Sequence, residues 1–160
     1  MEEWGDFAVI TGGAAAALLG LLFVAISIKV DVIGRSITLR ARATQTMVLF
    51  LMAFLAAAVL GIPAQPLWVF GLLMTVLGLL AAFVLVAMER KAERANDGRS
   101  LGTILSAVTP SALTCFLVLA TGVSALAGWR GGIYFLAAAI ILAVTGGVIN
   151  AWLFLVRLDT

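Results

Sequence analysis

The sequence predicts an all-α integral membrane protein of five transmembrane helices, with the N-terminus outside and the C-terminus inside. Three observations predict it. The 160 residues are 64% apolar and only 11% charged, with a mean hydropathy of +1.20, whereas soluble domains carry roughly 45–50% apolar and about 25% charged residues. The apolar residues fall into five runs close to the length of roughly 20 residues that a spanning helix needs. The basic residues alternate from one connection to the next, which is the pattern that orients membrane proteins.

The first run covers residues 7–28 and is closed by Lys29 and Asp31. The second covers 44–60, and Gly61, Pro63 and Pro66 break it, because proline cannot continue a helix. The third covers 67–88, where Glu89-Arg90-Lys91 stops it. The fourth covers 101–127, contains Pro110, and ends in the turn Gly128-Trp129-Arg130-Gly131-Gly132. The fifth covers 133–156 and is ended by Arg157 and Asp159. Residues 1–160 form one transmembrane domain. The acidic start Met1-Glu2-Glu3-Trp4-Gly5-Asp6 does not read as a cleavable signal peptide, which opens with basic residues.

Charge gives a count independent of hydropathy. The N-terminal tail and the connection 61–66 carry no Lys or Arg. The first connection carries Lys29, Arg35, Arg40 and Arg42, and the third carries Arg90, Lys91, Arg94 and Arg99. The fourth has Arg130 alone, and the tail has Arg157. Basic-rich connections stay in the cytoplasm, so an odd number of spans follows. Trp4, Trp68, Trp129 and Tyr134 then fall at outer helix ends and Trp152 near an inner one, where amphipathic rings favour the headgroup layer.

Two cytoplasmic connections look structured. Val30, Ile33, Ile37 and Ala41 share one helical face, which suits an interfacial helix; an early start of the second span near Ile37 explains the same pattern. Residues 89–95 read as a solvated extension of the third helix, stopped by Asn96-Asp97-Gly98, a helix-ending signal.

All ten Lys and Arg and all eight Asp and Glu lie outside the runs or at their edges. Ionisable groups inside a membrane mark proton relays, ion-coupling sites and voltage sensors, and the runs contain none. The chain has no His and one Cys, Cys115, within an apolar run. It therefore lacks the commonest general base and metal ligand; a Ser or Cys nucleophile would need another base, and the lysines of a Ser–Lys pair, Lys29 and Lys91, both lie at cytoplasmic ends. No enzyme activity, metal or cofactor is expected, and the scattered basic residues make no nucleic-acid patch.

The fourth run stands out for hydroxyls. Thr103, Ser106, Pro110, Thr114, Thr121 and Ser124 follow helical steps and lie on roughly one face. Pro110 leaves the carbonyl of Ser106 without its helical partner. Freed carbonyls beside hydroxyls suit the lining of an aqueous path, and hydroxyls bonded back to their own helix explain the same residues. Gly12, Ala16 and Gly20 in the first run, Gly71 and Gly78 in the third, and Gly147 in the fifth carry the small-residue spacing of close helix packing. Asn150 suits a hydrogen bond between helices or a site lining.

Trp4-Gly5-Asp6-Phe7, Thr11-Gly12-Gly13-Ala14-Ala15-Ala16 and Gly20-Leu21-Leu22-Phe23-Val24-Ala25-Ile26-Ser27 resemble the opening of a family of small, uncharacterised bacterial membrane proteins, mainly actinobacterial. The resemblance covers the first quarter of the chain. It implies multi-pass residence in a bacterial cytoplasmic membrane and brings no activity or functional residue.

The leading functional expectation is a homo-oligomeric channel or pore for ions or small solutes. In that reading the hydroxyl face lines the oligomer axis. Arg35, Arg40, Arg42, Arg90, Lys91 and Arg94 surround its cytoplasmic mouth and favour anions. The alternative is a non-catalytic membrane scaffold or regulatory subunit of a partner protein. A secondary transporter comes third, because the spans hold no coupling charge. The expected partners are the lipid bilayer, further copies of the chain and a possible protein partner.

Overall fold

The computed structural model describes residues 4–30, 37–94 and 101–156, with side chains described at 4–30, 40, 43–87, 90, 111–129 and 131–152. Among these residues the chain is all-helical: α1 (Gly5–Ile28), α2 (Ile37–Leu60), α3 (Leu67–Arg94), α4 (Leu101–Leu126), a 3-10 turn (Arg130–Gly132) and α5 (Ile133–Val156). Four segments are long and apolar enough to cross a membrane: Gly5–Ile28, Ala43–Leu60, Leu67–Ala87 and Ile133–Trp152. In α4 the apolar stretch is Ser111–Leu126. Helices of this length and composition belong to a membrane protein, since only helices or closed barrels satisfy backbone polar groups in lipid.

The helix limits have local causes. Asp6 in the first turn of α1 complements the positive end of the helix dipole. Within α1 the hydroxyls of Thr11 and Ser27 donate to the carbonyls of Phe7 and Phe23 at 2.6 and 2.9 Å, so neither is left bare in an apolar setting. The described part of α2 is already helical at Ile37; Ile33 and Arg35 of the first connection lie outside the described residues. The helix of α3 runs on to Arg94, and α4 continues as helix through Pro110.

At the end of α4, Gly128 takes the left-handed conformation with φ +80°. The N–H of Trp129 reaches the Ser124 carbonyl at 2.9 Å, and that of Gly128 reaches Ala125 at 3.0 Å. This pair of bonds is the Schellman cap, which favours glycine because a Cβ opposes positive φ.

Helices α2, α3, α4 and α5 form a ring in which each packs on the next, and α2 and α4 meet only sparsely across the diagonal. Helix α1 lies outside the ring, mainly on α2. Small residues set the close approaches. A Cβ on Gly71 or on Gly122 would meet the other's carbonyl oxygen at 3.0 Å, so α3 and α4 touch backbone to backbone. A Cβ on Gly78 would meet Leu119 at 2.8 Å, and one on Gly12 would meet Ala57 at 3.3 Å. The Phe50 ring lies over Gly147. Ala16 and Gly20 face outward, and nothing lies within 4 Å of a Cβ built on Gly20.

Candidate functional site

The chain ends of the helices collect at one end of the ring and enclose a cleft of about 670 Å³. Trp4, Gln65, Trp129 and Tyr134 wall it, and Leu60 and Phe70 are among the residues beneath. Trp4 fixes the rim by edge-on contacts with Tyr134 at 5.4 Å and Phe7 at 5.6 Å. The connection between α2 and α3 supplies the polar wall. Its geometry is tight: Gly61 N–H donates to Ala57, and Ala64 is held at φ +52°, a region that opposes a Cβ. The Gln65 amide folds back and donates from Nε2 to the Val59 carbonyl at 2.6 Å, capping the end of α2. Its Oε1 is enclosed and has no hydrogen-bond partner.

Below the cleft the ring interior turns apolar. Leu49, Met74, Val118 and Ile140, one from each ring helix, are at most 2% exposed and belong to a single apolar cluster. At 1.5 Å rise per residue they lie roughly 10–17 Å from the cleft ends of their helices, near the middle of a bilayer core.

Deeper still the interior becomes polar again. Ser111, Thr114 and Thr46 are buried to 2% exposure or less. Gln45 donates from Nε2 to Ser111 Oγ at 2.9 Å, joining α2 to α4 across the diagonal. Thr46 and Thr114 also have interaction partners. The inward face of α4 therefore reads Ser111, Thr114, Val118, Thr121, Ala125, in steps of three and four, and all five are buried. Thr121 donates to the Leu117 carbonyl at 2.9 Å, and half-buried Ser124 to the Thr121 carbonyl at 2.8 Å.

Of the hydroxyl face expected from the sequence, Thr114 and Thr121 come together inside the ring and Ser124 sits nearer the cleft. The side chains of Thr103, Ser106 and Pro110 lie outside the described residues. Burial of Thr114 and Thr121 within one chain takes them off the outer surface, where an oligomer axis would run. Asn150 is half-buried, and its Nδ2 is enclosed with no hydrogen-bond partner among the described residues. Arg40 and Arg90 are exposed at the helix ends opposite the cleft; the side chains of Arg42, Lys91 and Arg94 lie outside the described residues.

Sequence reasoning passed over Gln65 and counted Ser111 among the hydroxyls of the fourth run without placing it on the face. Ser111 lies three residues before Thr114 and so belonged to its face; choosing the face through Pro110 and Ser124 hid it. Gln65 sits in a connection, where no periodicity marks a side chain as directed inward. Among the described residues no group of three or more His, Cys, Asp or Glu could hold a metal ion.

No protein-family model matches the chain, and no curated protein or solved structure matches it significantly.

Proposed function

We propose that the chain is a five-span protein of a bacterial cytoplasmic membrane, N-terminus outside, and that it is a closed conduit for small solutes running inside the α2–α5 ring. One observation carries this reading: the polar groups of α4 point into the ring, between a cleft at one end and the Gln45–Ser111 layer towards the other. The conduit is thereby moved from an oligomer axis to the interior of a single chain. Helical membrane proteins build solute paths from inward-facing polar groups and close them with apolar constrictions. The cluster of Leu49, Met74, Val118 and Ile140 has the position of such a gate. The basic-poor cleft end faces outward under the positive-inside rule, and the exposed Arg40 and Arg90 face the cytoplasm.

Flux into proteoliposomes tests the proposal. Met74→Ala shortens a gate side chain and raises flux, whereas Thr114→Val removes a hydroxyl at nearly constant volume and lowers it. Flux at the level of protein-free liposomes for both variants and the unaltered chain removes the conduit.

A non-conducting membrane module is the second reading. It is favoured by the fact that Ser111, Thr114, Thr121 and Ser124 all have partners already, as hydroxyls used for packing do. Co-purification of one stoichiometric membrane partner, with no flux from the isolated chain, supports it.

A further inference from the structure

Resting on the conduit reading, we infer that the solute is small, uncharged and hydrogen-bonding, of the polyol or amide class, and that ions are excluded. The described polar groups turned into the ring are all neutral: Gln45, Thr46, Ser111, Thr114 and Thr121. The cleft wall continues the pattern with the Gln65 amide and the indole and phenol rims of Trp4, Trp129 and Tyr134. Hydroxyls and carboxamides offer donors and acceptors together, so they replace the water around a hydroxyl or amide group whichever way it turns.

Among the described residues the charged groups are elsewhere. Asp6, Arg40 and Arg90 are exposed, and Lys29 is half-buried at the end of α1, outside the ring. No described charge stands ready to compensate an ion at the layer of Leu49, Met74, Val118 and Ile140. An ion stripped of water there would meet carbon on every side, and the cost of burying an unpaired charge far exceeds that of burying a polar group. A neutral solute crossing the same layer gives up hydrogen bonds only. It recovers them at Thr114 and Ser111 on one side and at the cleft on the other. A basic mouth raises the local concentration of anions but supplies nothing at the gate. The anion preference suggested by the cytoplasmic arginines therefore gives way to neutrality.

The experiment uses the full chain in proteoliposomes, with glycerol and urea as neutral probes followed by light scattering, and potassium and chloride followed by ion-selective dyes. Glycerol or urea is expected to enter measurably faster than into protein-free vesicles, with potassium and chloride unchanged. Thr114→Val is expected to slow the neutral probes and Thr114→Ser, which keeps the hydroxyl, to restore them. Faster chloride or potassium without faster glycerol or urea overturns the solute class and leaves a conduit. No acceleration of any probe, with Met74→Ala equally silent, overturns the conduit itself and the inference with it.

Discussion

Gln45 of α2 donates a 2.9 Å hydrogen bond to Ser111 of α4 across the diagonal of the helix ring, at a level where Thr46 and Thr114 are also buried. The bond ties together two helices that otherwise scarcely touch. Hydrogen bonds between membrane helices contribute about 0.6 kcal/mol on average, up to roughly 2 kcal/mol. Ser111→Ala should therefore lower stability by about 1 kcal/mol, and Gln45→Leu should cost a similar amount. The double variant should cost less than the sum, because both single changes remove the same hydrogen bond. Steric trapping or denaturant unfolding in bicelles measures all three.

The α3–α4 contact should be far less tolerant than the outer face of α1. A side chain at Gly71 or Gly122 has no room, since even a Cβ meets backbone at 3.0 Å or less. Gly122→Leu should destabilise by at least about 1–3 kcal/mol, the usual cost of overpacking. Gly20→Leu, where nothing lies within 4 Å, should fall within about 0.5 kcal/mol of the unaltered chain. Thermal unfolding in detergent separates the two.

Backbone strain predicts a pair of opposite signs. Gly128 at φ +80° and Ala64 at φ +52° both occupy the left-handed region. Gly128→Ala should cost about 1 kcal/mol, and Ala64→Gly should stabilise by up to about 1 kcal/mol, since the left-handed conformation opposes a Cβ by roughly 1–2 kcal/mol and glycine returns part of that through unfolded-chain entropy. The same unfolding assay checks both signs.

Much of the helical layout was legible in the residues, and the facing of the helices was not. Runs of apolar residues located the helices to within a few positions, and the second membrane-crossing stretch, Ala43–Leu60, matches its run, while helix already covers Ile37 to Ala43 ahead of it. The reason is that Ile37 to Ala43 mixes Arg40 and Arg42 with apolar residues, so hydropathy averages it away while the backbone keeps turning. Facing is harder because lipid is as apolar as a packed interior. Gly13 and Gly20 look outward while Gly12 packs on Ala57, yet all three carry the same small-residue signature. Thr114 was legible as part of a hydroxyl face, but only the packed ring shows that this face points inward, with Ser111 beside it.

Topology has its own test. In a Cys115→Ala background, Ala64→Cys at the cleft end should react with a membrane-impermeant maleimide in intact cells, while Arg90→Cys should react only after permeabilisation, as the placement of basic connections requires. Labelling of both from the same side would contradict a membrane-crossing α3.

The most direct measurement is thiol reactivity inside the ring. Thr114→Cys and Thr121→Cys, each in the Cys115→Ala background in proteoliposomes, would be exposed to a small neutral methanethiosulfonate, with Ala17→Cys on the outward face of α1 as the lipid-facing reference. Thiols react as thiolates, which form where water reaches them. A conduit predicts faster reaction at positions 114 and 121 than at 17, and slowing of both by glycerol or urea. Reaction at positions 114 and 121 no faster than at 17, with Met74→Ala added to open the gate, would contradict a solute path through the ring.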